Sequence, residues 1–188
     1  TSAAAGLKPG APVRCWGPLG AFGKGIDSRP VVVMVAGGVG ITPFLSVLRH
    51  FRNVGATNRV TLFWVNKTQS DLFRSEEIGV LTRALDLTVV HFLTREEDPR
   101  RFGDPKAPRI LYEKGRLSGD MLKRHGVAAA AACYLCGPPP MMESALRELA
   151  VLGVDPASVE QEQFSWQERR GSGKEATERV NREGGEVR

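Results

Sequence analysis

The chain has 188 residues, 41% of them hydrophobic, and a formal net charge of +5, a balance that suits one folded α/β domain with attached pieces. No apolar run approaches the ~20 residues that cross a bilayer, which excludes a transmembrane segment here and points to a soluble protein of the cytoplasm or an organellar matrix. Lys and Arg alternate with Asp and Glu in loops and tail, which reads as a solvated surface rather than a nucleic-acid interface. Three cysteines make no disulfide framework, and His50, His91 and His125 lack the spacing of metal ligands.

The chain opens on Thr1 rather than Met and carries no signal or transit pattern, so it reads as a piece of a longer polypeptide. Residues 1–28 stand apart from the rest of the chain. Leu7-Lys-Pro-Gly10 is a turn, residues 12–16 alternate like a strand, and Gly17-Pro-Leu-Gly-Ala-Phe22 is a second turn-rich loop. Together they read as the last edge of an antiparallel barrel, with residues 23–30 as a polar linker.

From Val31 the rhythm becomes β-α-β-α. The run Val31-Val-Val-Met-Val-Ala36 is rich in β-branched residues and reads as a buried parallel strand. It breaks at Gly37, Gly38 and Gly40. A helix comes next, with Thr42 as its N-cap and Pro43 at the first helical position. Phe44, Leu45, Val47, Leu48 and Phe51 recur at helical spacing, and Gly55 ends the pattern. A strand, a glycine turn and a helix N-terminus make an anion site suited to a dinucleotide pyrophosphate. The spacing is not that of the G-x-G-x-x-G fingerprint.

Residues 58–65 form the second strand, and a polar loop at its carboxyl end starts with Asn66. A helix from about Ser75 places Ile78, Leu81 and Leu85 on one face. Residues 87–93 form the third strand, followed by Thr94 and Arg95. Residues 94–115 read as a charged loop, either functional or disordered, because such connections are normally much shorter. Ser118 caps a short helix, with Leu117 stapled onto Leu122. Residues 128–136 read as the fourth strand. Cys133 and Cys136 form a C-x-x-C within it, but a separation of three puts their side chains on opposite faces of a strand, which argues against redox or zinc chemistry. Gly137-Pro-Pro-Pro140 opens the next helix, lined by Met141, Met142, Ala145, Leu146, Leu149 and Leu152 and stopped at Gly153. Residues 159–166 read as a fifth strand. Residues 167–188 are charged and nearly devoid of apolar side chains, and are expected to be disordered.

The expected fold is therefore α/β: a doubly wound, Rossmann-like sheet of five parallel strands over residues 29–166, preceded by the barrel edge and followed by the tail. Ligands bind such sheets at the carboxyl ends of the strands. The glycine turn, the Asn66 loop, the Thr94–Arg95 loop and the Cys136-Gly137-Pro138 turn all fall on that rim.

These motifs resemble the ferredoxin–NADP reductase superfamily. Gly37-Gly-Val-Gly-Ile-Thr-Pro43 and Cys136-Gly-Pro-Pro-Pro-Met141 match its two nucleotide-domain signatures, in order and about a hundred residues apart. Asn66-Lys-Thr-Gln-Ser-Asp-Leu72 resembles the loop after the second strand in its cytochrome b5 reductase branch. Lys114-Gly-Arg-Leu-Ser118 resembles a segment of oxidoreductase NAD-binding-domain proteins. Residues 8–22 resemble the end of the family's flavin-binding barrel.

The resemblance implies a flavin-dependent NAD(P)H oxidoreductase that exchanges a hydride between nicotinamide and FAD and passes electrons to a protein or small-molecule acceptor. It implies that Gly37, Gly38, Gly40, Thr42 and Pro43 hold the pyrophosphate, with Asn66, Thr94, Arg95, Gly137, Pro138 and Met141 around the rest of the nucleotide. Ser2, Gly17 and Pro18 would belong to the remaining flavin edge. Cys136 would lie beside the nicotinamide, Glu162 near its carboxamide, and Phe164 over the flavin ring. The bland readings are a buried strand-end thiol for Cys136 and a core aromatic for Phe164.

Most of the flavin barrel lies outside the chain, so this piece alone is expected to bind FAD weakly or not at all. Arg95 favours the 2′-phosphate of NADPH over NADH, while Glu96, Glu97 and Asp98 stand ready to neutralise it. Two further readings stay open: a non-catalytic NAD(P)-binding sensor or scaffold, and the reductase component of an oxygenase, whose iron–sulfur domain would lie outside this chain.

Overall fold

The computed structural model describes residues 6–14 and 20–163. Six strands form one sheet: β1 (Val31–Gly37), β2 (Arg59–Asn66), β3 (Leu87–Leu93), β4 (Ile110–Lys114), β5 (Ala132–Cys136) and β6 (Val159–Glu162). Their order is β4-β3-β2-β1-β5-β6, and every neighbouring pair is parallel. Four helices connect them: α1 (Ile41–Val54), α2 (Ser75–Ala84), α3 (Gly119–Arg124) and α4 (Pro139–Val151). The chain moves outward from β1 to β4 and then returns to lay β5 on the other side of β1. The strand order therefore reverses between β1 and β5, and a crevice opens there at the carboxyl ends.

Strand alternation divides the core into two layers. Met34, Ala36, Leu62, Trp64, Tyr134 and Cys136 face α1 and α2, where they meet Phe44, Leu48, Phe51, Ile78 and Leu81. Val33, Val35, Phe63, Phe92, Cys133 and Leu135 face α3 and α4, where they meet Leu122, Met142, Ala145 and Leu149. Cys133 and Cys136 lie in opposite layers. Each fully buried Leu or Phe contributes about 1.5–3 kcal/mol, so the two layers supply most of the force holding the sheet together.

The sheet has six strands, not the five expected. The extra one, β4, lies inside the stretch read as a long loop, after a 3-10 turn at Pro99–Phe102. It is a short edge strand that carries a glutamate in its buried register. The Glu113 side chain is only 10% exposed, with an Arg100 nitrogen at 3.0 Å, His125 at 3.5 Å and Arg124 at 3.7 Å. A carboxylate is tolerated there because Arg100 and Arg124 pair with it, and those partners lie more than ten residues away in sequence.

Two boundaries also move. β5 begins at Ala132, because Ala131 N donates to Ala128 O (3.0 Å) and residues 128–131 make a turn; alanine has little preference for strand. α1 begins at Ile41 with Gly40 as its N-cap, so Thr42 and Pro43 are the second and third helical residues. The Thr42 hydroxyl donates to Val39 O (3.0 Å) rather than capping. Proline fits anywhere in the first turn, where its missing N–H is not needed. The cap of α3 is as read: Ser118 Oγ accepts from Met121 N (3.4 Å).

The expected barrel edge falls partly on residues 15–19, and Phe164, Trp166 and the charged tail lie at 164–188; both stretches are outside the described residues. Among the described residues, no helix is long and apolar enough to cross a membrane.

Candidate functional site

Two strand-to-helix turns, one after β1 and one after β5, pack backbone to backbone at the crevice. A Cβ on Gly37 would lie 2.7 Å from both Pro138 Cδ and Met141 Sδ. A Cβ on Gly137 would lie 2.9 Å from Gly37 N. A Cβ on Gly40 would overlap the carbonyl oxygen of Cys136. These three glycines are therefore packing glycines that let the two backbones touch. Gly38 differs: it sits at φ +52° with open space where a side chain would be, so what it supplies is the left-handed turn rather than room for a neighbouring backbone.

The N-terminus of α1 opens onto this space. No side chain caps it, and the first N–H groups of a helix have no partner inside it. The 3-10 turn Gly38–Gly40 precedes it and is fixed by Trp64 Nε1, which donates to Gly38 O (2.9 Å). The Ile41 N–H is already bonded within the turn, to Gly38 O and Val39 O, so α1 offers its dipole together with the N–H groups at the start of that turn. The N-terminus of α4 lies on the same rim but offers much less. Pro139 and Pro140 have no N–H, and Met141 N already donates to Pro138 O (3.0 Å). An anion in the crevice belongs to α1. The Thr42 hydroxyl proton is engaged with Val39 O and must rotate away before it can donate elsewhere.

A cavity of about 430 Å³ lies against this turn, lined by Gly38, Asn66, Lys67, Asp71, Thr94 and Met141 among others. A second, of about 500 Å³, shares Val65, Thr94, Pro138 and Met141 with it and extends to Arg116 and Arg147. Asn66 is buried at the end of β2, and its carbonyl accepts from Thr94 N (3.0 Å) and Thr94 Oγ1 (3.3 Å). Its Nδ2 is buried with no partner. An unmet buried donor costs about 1–3 kcal/mol, and a ligand acceptor in the cavity is the natural remedy. Lys67 adds a positive charge. The Asp71 carboxylate accepts from Thr68 N and Thr68 Oγ1 (2.8 Å each), and the backbone bond holds it below the usual carboxylate range. A glycine cradle, an uncapped helix, an orphan amide and a lysine are a donor set that fits a nicotinamide dinucleotide.

Cys136 ends β5, in register with Ala36 on one side and Glu162 on the other. It is fully buried, and burial, with Glu162 second, pushes its thiol up to about 11. At neutral pH it is an uncharged, polarisable sulfur and neither a base nor a thiolate nucleophile. Glu162 is half-buried beside it. Arg95 is exposed, and its N–H donates to Lys67 O (2.8 Å). Two of the three acids expected to neutralise it have other partners: Glu96 accepts from Gln69 N (3.1 Å) and pairs with Arg101 (3.3 Å), and Glu97 pairs with Lys114 (3.5 Å). Among the described residues, the Arg95 guanidinium forms no ion pair.

The crevice thus brings together Gly37, Gly38, Gly40, Asn66, Thr94, Gly137, Pro138 and Met141, with Cys136 and Glu162 adjoining. Ser2, Gly17, Pro18 and Phe164 lie outside the described residues. Lys67, Asp71, Phe73 and Arg147 line the cavities without having been singled out. The first three come after Asn66 at a strand's carboxyl end, so position alone points to them. Arg147 sits deep in α4 with no local signal. Among the described residues, no group of three or more His, Cys, Asp or Glu side chains could hold a metal ion.

Residues 34–147 match the oxidoreductase NAD-binding domain family. The reductase component of propane 2-monooxygenase from Rhodococcus jostii is 33% identical over 161 residues, covering 85% of this chain and 42% of its own. NADH-cytochrome b5 reductase 2 from Mycosarcoma maydis is 30% identical over 144 residues, covering 73% and 38%. The chain spans about two fifths of the length of these curated relatives. Among solved structures, the flavohem-like FAD/NAD binding domain of nitric oxide dioxygenase from Vibrio cholerae shares the fold, with a TM-score of 0.59, 23% identity, and coverage of 72% of this chain and 51% of that one. On the extent of the domain match, with two relatives at 30% identity or more, this chain belongs to the oxidoreductase NAD-binding domain family.

Proposed function

We propose that this chain is the nicotinamide-nucleotide half of a flavin-dependent oxidoreductase that hands electrons to a protein acceptor. The observation that carries this reading is a convergence at one crevice: the uncapped N-terminus of α1, the orphan Asn66 amide and a neutral, buried Cys136 beside Glu162. The N–H groups of residues 38–40 and Lys67 hold the pyrophosphate. Asn66 Nδ2 donates to an acceptor on the bound nucleotide, and Asp71, ionised and fixed, accepts from a ribose hydroxyl. Cys136 packs against the nicotinamide ring without competing for a proton, and Glu162 accepts from the carboxamide.

The flavin, when bound, supplies the hydride acceptor. Ser2, Gly17 and Pro18 are proposed at its edge and Phe164 over its ring. A preceding segment would hold most of it, as the two-fifths coverage of the relatives allows. Arg95, which forms no ion pair among the described residues, favours NADPH through its 2′-phosphate. The relatives' names, a monooxygenase reductase component and a cytochrome b5 reductase, favour a protein electron acceptor.

The test is the visible absorption of the full-length protein. Bound flavin bleached by NADPH faster than by NADH supports this reading. A colourless protein that still binds nucleotide overturns it in favour of a nucleotide-sensing module.

A further inference from the structure

We propose that Glu160 and Asn58 are positioning residues: they clamp residues 20–30 onto the nucleotide-binding sheet and so fix that stretch relative to the Cys136–Glu162 rim. The catalytic consequence rests on the oxidoreductase reading; the clamp itself does not.

Residues 23–30 have the composition of a slack linker, and glycine and charge dominate them. The structure gives them three independent anchors instead. Phe22 packs between two elements, its ring centroid 5.8 Å from Phe44 of α1 and 5.9 Å from Tyr134 of β5. Gly23 N donates to Glu160 Oε2 at 2.9 Å, across 137 residues of sequence. Asn58, only 8% exposed, donates from one amide nitrogen to Arg29 O (2.6 Å) and Asp27 O (3.1 Å), with Ile26 O at 3.5 Å.

A buried carboxamide is placed only where its bonds are made, and Asn58 uses its donors to hold this one stretch of backbone. The Glu160 contact matters for a second reason. Glu160 pairs with Tyr134 across β5–β6, two residues before Glu162 pairs with Cys136. Residues two apart share a strand face. The strand that presents Glu162 to Cys136 is therefore the strand that grips Gly23, and motion of the upstream segment is coupled to the rim where a hydride would cross. Misplacement by about 1 Å can cost about a hundredfold in rate, so a rigid attachment has a function there that a flexible linker lacks.

Two measurements test this. In the ¹⁵N-labelled chain, the Gly23 amide is expected to be protected from hydrogen exchange. Glu160→Gln, whose side-chain oxygen still accepts, keeps that protection, and Glu160→Ala loses it. In the full-length protein, Glu160→Ala is expected to lower the rate of nucleotide-driven reduction by about tenfold or more with KM for the nucleotide within about twofold, and Glu160→Gln restores the rate. Free exchange of Gly23 in the wild type overturns the clamp. A Glu160→Ala variant whose rate is unchanged, or whose KM rises as much as its rate falls, overturns the catalytic consequence. A wild-type protein that does not oxidise nucleotide overturns the oxidoreductase reading and with it the catalytic consequence. Protection of Gly23 lost in Glu160→Ala still supports the clamp in that case.

Discussion

Replacing Gly40 with alanine separates two explanations of the glycine turn. If these glycines serve only to let a phosphate approach, one added methyl group costs affinity and little stability. The structure gives Gly40 another task, since its Cβ would overlap the Cys136 carbonyl. The obstacle is backbone, not a side chain that can rotate away, so the two turns must part. Overpacking of this kind costs typically 1–3 kcal/mol, and a backbone obstacle belongs near the top, at about 3 kcal/mol. For an ordered domain of this size that lowers Tm by roughly 10 °C. Gly38→Ala is the control: open space surrounds it, and its only strain is φ +52°, worth about 1–2 kcal/mol. Thermal unfolding of the two variants by circular dichroism is the assay. Gly40→Ala is expected to be the less stable of the pair. A Gly40→Ala variant as stable as wild type, or more stable than Gly38→Ala, refutes the backbone-to-backbone packing of the two turns.

Stability should narrow at both ends of the pH range. Burial raises Cys136 to about 11 and Cys133 to about 12, so the unfolded thiols ionise first and denaturant midpoints should fall as pH rises above about 9. Burial lowers His91 to about 4; its unfolded form charges first, so stability should decline between about pH 6.5 and pH 4, and His91→Phe should flatten that arm. Glu113→Ala should cost about 2 kcal/mol in urea unfolding, because it strips a nearly buried carboxylate from Arg100 and His125. The cost stays below the 3–5 kcal/mol of a fully buried pair because Arg100 remains largely exposed. Arg95→Ser in the full-length protein should raise KM for NADPH by about tenfold to a hundredfold, as expected for a charged hydrogen bond, and leave KM for NADH unchanged.

The parallel sheet and the turns at its strands' carboxyl ends were legible because they are written in local pattern. Val32 to Ala36 is buried on both faces, the run from Val31 reads as unbroken apolar sequence, and the rim comes from strands that alternate with helices. β4 was illegible for the opposite reason: Glu113 looks like a loop residue until Arg100 and His125 fold against it. The packing duty of Gly37, Gly40 and Gly137 depends on two turns that meet from opposite ends of the sequence. The same holds for the clamp, where Gly23 and Glu160 share no local signal. Arg95 shows the limit from another side. The sequence sets three acids beside it, and only the folded chain gives Glu96 and Glu97 to Arg101 and Lys114.

A nicotinamide nucleotide is proposed to lie against the N-terminus of α1 with Asn66 beneath it. The most direct measurement is a titration of the ¹⁵N-labelled chain with NADPH, following backbone amides and the Asn66 side-chain amide by NMR. The largest shifts are expected at residues 38–40 and at Asn66 Nδ2, with smaller ones at Arg95. Shifts confined to the opposite end of the sheet, around Asp86 and Arg109, or none at millimolar nucleotide, would contradict that placement.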